Sequence, residues 1–236
     1  MEDVDGPRTV PGAADEILRT LERFGFAWDG EVMYQSTRGE AYEAALAMLK
    51  ERGLVFACGC SRRELDAGPY PGTCRNGIAA GREARAWRLR VSDEEIRFVD
   101  RRQGEVRERL SETCGDFVLR RADGYWAYQL AVVVDDAAQG VTDVVRGVDL
   151  LDSTARQIWL QRGLGYPELR YLHVPVVLAA DGQKLSKQTG ARGLELSNPA
   201  RELRAAFEFL GARIPAEAQS VSEIWQASPD LDLERS

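Results

Sequence analysis

The chain has 236 residues, 44% hydrophobic and 29% charged, with a formal net charge of −7 at pH 7. That length supports one large domain, or one domain carrying an insertion, and the acidic balance excludes a broad basic surface that grips nucleic acid by bulk electrostatics. No stretch is apolar enough for long enough to span a bilayer, and MEDVDGPRTV has neither a charged n-region nor an apolar h-region, so no membrane contact and a cytoplasmic location are expected.

In chain order, GAADEILRTLERFG places Ile17, Leu18, Leu21 and Phe24 on one helical face, with Gly25 as a left-handed stop. RGEAYEAALAMLKERGL repeats the pattern with Tyr42, Ala45, Leu46 and Leu49 inward and Lys50, Arg52 and Gly53 closing it. Next comes CGCSRRELDAGPYPGTC, which holds Cys58, Cys60 and Cys74, three of the chain's four cysteines. On spacing alone this stretch reads equally as three free thiols or as three of four metal ligands. Cys114 stands apart and is expected to be an ordinary buried thiol. Arg62, Arg63, Arg75 and Arg82 form a weak basic cluster that could equally be a solvated face.

EARAWRLRV and EIRFVDRRQGEV alternate as half-exposed antiparallel strands, and the region looks inserted. YQLAVVVDD then reads as a buried parallel strand ending in acids at an active-site edge, and DLLDSTARQIWLQRGLG as a helix capped by Asp152 or Ser153 and stopped at Gly163. YLHVPVVL is another buried strand, completing a βαβ unit and predicting a parallel α/β sheet. The sole histidine, His173, falls in that strand, where a satisfied structural role is expected. Beyond it Asp181-Gly182 marks a turn, and Lys184 and Lys187 bracket Leu185-Ser186 on a loop. Such a loop is either simply wet or, at the end of a parallel strand, a place to neutralise phosphate charge. NPARELRAAFEFLG is a short helical segment, and the tail QASPDLDLERS is expected to be disordered.

KLSKQ at 184–188 resembles the KMSKS loop of class I aminoacyl-tRNA synthetases, and residues 116–165 resemble the matching half of their glutamyl branch. VRGVDLLDSTARQ and the cysteine stretch are similar to the glutamyl-Q tRNA(Asp) synthetases, a family without an anticodon-binding domain. The resemblance implies an α/β class I synthetase fold: a Rossmann-type parallel sheet, an inserted zinc-containing subdomain and a short C-terminal helical segment. The matching divisions are 1–56 and 125–192 for the two parts of the catalytic domain, 57–124 for the insertion and 193–236 for the C-terminal segment.

The resemblance also implies activation of L-glutamate with ATP and Mg2+ without tRNA, then transfer to queuosine in the anticodon loop of tRNA(Asp), by a monomer. It assigns one structural zinc to Cys58, Cys60, Tyr70 and Cys74. Lys187 is the ATP-phosphate residue, assisted by Lys184. Glu2, Tyr128 and Arg146 are the glutamate-binding residues, although without the resemblance Tyr128 reads as core and Arg146 as a surface ion pair. Two other readings stay open: a fragment of an ordinary glutamyl-tRNA synthetase, and a zinc- and RNA-holding remnant without catalysis. The family opens with a strand, a glycine-rich turn and a HIGH-like motif that grips ATP, whereas here Met1 precedes the acidic EDVD directly. The expectation is that the reading frame continues upstream into that unit and that the 236-residue form is nearly inactive without it.

Overall fold

The computed structural model describes residues 1–65, 68–179, 182, 184–185 and 193–228. Helix α1 (Ala13–Arg23) and helix α2 (Gly39–Glu51) form where helical periodicity predicts them. Their burial differs. Tyr42, Ala45, Leu46 and Leu49 of α2 are buried as expected, but α1 buries nothing, and Ile17 is 48% exposed. Only Phe24, the residue that caps α1, goes inward.

Strands β1 (Val55–Cys58), β2 (Ala86–Leu89) and β5 (Phe117–Arg120) make a three-stranded antiparallel sheet with β2 central. The second sheet is mixed. Its order is β4 (Gly104–Arg109), β3 (Glu95–Asp100), β7 (Arg170–Val174), β6 (Asp143–Gly147), with β3–β4 an antiparallel hairpin and β3–β7 and β6–β7 parallel. The hairpin lies in the stretch that the sequence marks as inserted, yet it is hydrogen-bonded to β7 through the Asp100–Tyr171 pair. A four-residue helix, α3 (Leu110–Thr113), leads from β4 toward β5.

Residues 128–136, expected as a strand, lie instead in helix α4 (Tyr128–Gln139). The run Leu130–Asp135 is buried on every side, and a helix buried all round has no apolar stripe to distinguish it from a buried strand. Packing against α2 and helix α5 (Leu151–Leu164) overrides the strand preference of Val132, Val133 and Val134. The buried carboxylate of Asp135 is tolerated because Tyr42 Oη donates to it at 2.6 Å and Arg38 Nε at 3.1 Å. The βαβ unit is real, but it is β6–α5–β7.

Helix α5 also corrects the expected ends. Its N-cap is Leu150 with no side-chain cap bond, and it runs through Gly163 to Gly165, whose φ of +74° supplies the left-handed stop. Strand β7 ends at Val174, one residue before Pro175, which has no N–H for a ladder. Tyr42, Leu46, Leu89, Ile96, Leu130, Ile158 and Tyr171 share the main core.

A second core joins Phe24 to helices α6 (Pro199–Phe209) and α7 (Val221–Ala227). Trp225 Nε1 donates to Phe24 O at 2.7 Å, and Gly25, at φ +77°, leaves the room that a side chain would take from Val221. No described helix is long and apolar enough to cross a membrane. Residues 229–236, most of the tail expected to be disordered, lie outside the described residues.

Candidate functional site

Two polar clusters sit on the two sheets. On the first, β1 presents Cys58 and the chain beyond it brings Cys60, Tyr70 and Cys74 back, so the three sulfurs lie within 4.8 Å of one another. Cys60 Sγ is 3.6 Å from Cys74 Sγ, and Tyr70 Oη lies 3.5 Å from Cys58 Sγ and 3.8 Å from Cys60 Sγ. The four residues singled out from the sequence are thus together, and Cys114 is not among them. Its thiol is pushed up to about 11 by burial.

Tyr70 is fixed from behind. Its N–H donates to Cys114 O at 3.0 Å, and Gly115, at φ +63°, has no room for a Cβ, which would lie 2.5 Å from Tyr70 N. Its hydroxyl oxygen accepts from Cys74 N at 2.9 Å. Burial and its bond to Cys58 hold the phenol above its ordinary range. Burial also raises Cys58, but donors from Tyr70, the Cys60 backbone and Arg88 outweigh it and bring that thiol down to about 7. Buried Arg88 stacks its guanidinium 4.0 Å from the Tyr70 ring centre, which places a fixed cation beside the donors. Of the basic cluster, Arg75 pairs with Asp116 at 3.6 Å and Arg82 with Glu64 at 2.5 Å, so both are partly spent within the fold.

The second cluster lies where parallel strands β6 and β7 end. Arg146 and His173 face each other in register, and Arg146 Nε donates to His173 Nε2 at 3.0 Å. Arg146 Nη2 donates to Thr154 Oγ1 at 2.8 Å, and Nη1 reaches the hydroxyl of Tyr128, the first residue of α4, at 3.5 Å. Among the described residues no carboxylate lies within ion-pair reach of Arg146. Burial first, and then the charge of Glu2, raise both Tyr128 and Asp136, the latter to about 6. The arrangement sets a cationic edge opposite two carboxyl groups, which suits a zwitterion with a further carboxylate.

Sequence reasoning named Glu2, Tyr128 and Arg146 but missed Asp136 and Thr154. In the sequence Asp136 reads only as an acid at the end of an apolar run, and Thr154 only as part of a helix start. Lys184 is bonded to Asp149, in the turn just after β6, and its neighbour Leu185 donates N–H to Val177 O at 2.9 Å. A Cβ at Gly147 would lie 2.4 Å from Asp149 Oδ1, so a side chain there would displace the carboxylate that holds Lys184. Lys187 lies outside the described residues. His173 is fully buried and satisfied, as expected. A cleft of about 1040 Å3 is bordered by both Cys60 and Tyr128 and lined by Arg8, Arg63, Arg85 and Arg121, of which Arg8 pairs with Asp5, and Arg121 with Asp5 and Asp123, in the same lining.

Residues 1–69 and 71–201 match the family model of the catalytic domain of class I tRNA synthetases for E and Q. A glutamyl-Q tRNA(Asp) synthetase of Dechloromonas aromatica is 60% identical over 225 residues, covering 91% of this chain and 75% of that protein. One from Chromobacterium violaceum is 57% identical over 233 residues, covering 95% and 78%. The fold is also that of a glutamate tRNA ligase from Elizabethkingia meningosepticum, at a TM-score of 0.78 and 21% identity, covering 98% of this chain and 57% of that one. The mixed sheet carrying Arg146, the cysteine cluster and these likenesses converge: the chain belongs to the class I glutamyl and glutaminyl tRNA synthetase family and, within it, to the glutamyl-Q tRNA(Asp) synthetases.

Proposed function

We propose that this chain activates L-glutamate with ATP, without requiring tRNA, and transfers it to queuosine in the anticodon loop of tRNA(Asp). The observation that carries the reading is Arg146: a guanidinium held at the end of a parallel strand, beside Tyr128, with no described carboxylate to neutralise it. A bidentate carboxylate fits that edge, and Glu2 with Asp136 suits the ammonium of an amino acid. Activation joins the α-carboxylate to the α-phosphate of ATP and expels pyrophosphate. The protein's work is to align the two and to neutralise charge as it develops. Lys187, assisted by Lys184, is assigned to the phosphates, which also carry the Mg2+. The arginine-lined cleft is where the RNA backbone would lie. The protein is read as a cytoplasmic monomer.

Cys58, Cys60, Tyr70 and Cys74 would hold one zinc ion. Ligands about 2.3 Å from a tetrahedral centre stand about 3.8 Å apart, slightly less for an oxygen, and the observed 3.5, 3.6 and 3.8 Å separations fit that figure. The donor set carries more negative charge than a zinc ion cancels, and Arg88 against Tyr70 supplies part of the balance. Four protein ligands leave no open position, so the ion would close the loop that bears them and take no part in the reaction.

The test is glutamate-dependent exchange of pyrophosphate into ATP, followed by loading of tRNA(Asp) with and without queuosine. Arg146→Ala is expected to raise the glutamate requirement far more than it slows adenylate formation. Loading of tRNA(Glu) at its 3′ end, or of tRNA(Asp) lacking queuosine, would overturn the acceptor assignment. Absence of exchange both in the 236-residue chain and in a form extended upstream in frame would leave a zinc- and RNA-holding protein.

A further inference from the structure

Behind Arg146 stands a second layer of buried groups. A guanidinium can only donate, so the bond from Arg146 Nε at 3.0 Å requires a bare His173 Nε2, to which the Thr154 hydroxyl, 3.2 Å away, can then donate as well. The imidazole is therefore neutral, with its one proton on Nδ1. That nitrogen lies 2.6 Å from Asp100 Oδ2, and both side chains are fully buried. Asp100 comes from the end of β3, in the hairpin that clips onto β7.

Asp100 is held as firmly as it holds. Its Oδ1 accepts the backbone N–H groups of Gln103 at 2.8 Å, Arg102 at 3.0 Å and His173 at 3.3 Å. Burial raises its carboxyl, but these donors and His173 outweigh it and keep the group below its ordinary value. Gln103 Nε2 also donates to His173 O at 2.9 Å, so the hairpin turn grips both the ring and the backbone of the histidine. A carboxylate so fixed allows one tautomer, as a carboxylate behind a ligating or catalytic imidazole does. The consequence reaches Arg146. With Nε on His173 and Nη2 on Thr154, the guanidinium cannot swing, and its remaining donors face Tyr128 and the open side.

We propose that Asp100 and His173 are positioning residues for substrate: by fixing the imidazole tautomer they aim Arg146 at the carboxylate of the bound amino acid. This rests on the reading of Arg146 as the carboxylate-binding group. A histidine that merely filled space would be indifferent to which nitrogen carried its proton. Here only one arrangement lets the imidazole accept from Arg146 Nε.

His173 is the chain's one histidine, so incorporation of 15N-histidine yields a single imidazole in the NMR spectrum of the full chain. At neutral pH it should show a protonated Nδ1 and an unprotonated Nε2. Arg146→Ala should shift the Nε2 resonance and leave Nδ1–H in place. Asp100→Asn offers an amide donor to Nδ1 and should move the proton to Nε2. An Nε2–H tautomer or a doubly protonated ring in the unsubstituted chain overturns the proposal.

Calorimetric titration with L-glutamate supplies the second arm. His173→Asn can still donate to Asp100 but offers Arg146 Nε no acceptor, and it and Asp100→Asn should each weaken binding about tenfold, the equivalent of one positioned hydrogen bond. His173→Gln, whose carbonyl can reach the place of Nε2, should stay within about threefold of the unsubstituted chain. ATP binding should not change. If Arg146→Ala abolishes glutamate binding while Asp100→Asn and His173→Asn bind normally, the positioning role falls and the reading of Arg146 stands. If Arg146→Ala binds glutamate normally, that reading falls, and this one with it. Should an Asp100 or His173 variant fail to fold, the tautomer in the unsubstituted chain and in Arg146→Ala decides.

Discussion

The two sheets bury charge in opposite ways. Around Cys58 the donors converge on one point, and the hydrogen bonds among Tyr70, Cys60 and Cys74 are made between groups that all prefer to accept from a cation. Around His173 each buried polar atom is matched to a complementary one, from the backbone of Gln103 through Asp100 and the imidazole to Arg146. The first cluster is compatible with completion by an ion from outside; the second is finished by the chain itself, apart from one guanidinium edge. Unsatisfied convergence is what the proposed metal site would require, and saturation with one open valence what the proposed substrate site would require.

The most disruptive way to break the contrast is Cys74→Ser. It should abolish stoichiometric zinc in elemental analysis and lower the melting temperature by roughly 5–15 °C, the scale set by a few kcal/mol in a chain of this size. Cys114→Ser should leave the metal untouched, and retention of zinc by the Cys74 variant would break the assignment. Lys187→Ala bears on the other site. Adenylate formation should slow about a hundredfold, the usual cost of one preorganised group that meets transition-state charge, with the glutamate requirement little changed.

A smaller effect comes from acid. The Asp100 carboxyl titrates lower in the folded chain than in the unfolded one, so its contribution to stability is present above the unfolded value of about 3.9 and is lost as pH falls through the folded one. Melting temperatures from pH 6 down to 3 should fall less steeply for Asp100→Asn than for the unsubstituted chain; parallel curves would place that pH dependence elsewhere. Ser220→Ala should do least. Ser220 and Glu223 form a capping box at α7, away from both sheets, and its loss should cost about 1 kcal/mol while zinc content and glutamate affinity stay unchanged.

How much of this was legible depended on whether the signal was local. Helix α2 was readable because its apolar spacing, its basic last turn and Gly53 all agree, and the cysteine stretch because its donors lie within seventeen residues. Helix α4 was not, because a segment buried all round loses its periodicity and three consecutive valines speak for a strand. Gly163 misled as a stop because it sits inside α5, where a Cβ would meet Leu49 and Leu54 at 3.4 Å. The metal-ligand candidates and Arg146 came through a family likeness. Asp100 had no signal at all: its role depends on a strand pairing with Tyr171 that spans some seventy residues.

That pairing has a consequence for anyone who would treat residues 57–124 as a cassette. The stretch bearing the cysteines could in principle be exchanged for another, since β1, β2 and β5 pair only among themselves in the described ladders. The β3–β4 hairpin could not go with it. A chimera joined at the outer boundaries would import a foreign turn where Asp100 and Gln103 now stand, and His173 would be buried with no acceptor for its Nδ1 proton. Grafts into this chain should therefore cut on either side of residues 95–109 and keep the hairpin with its host.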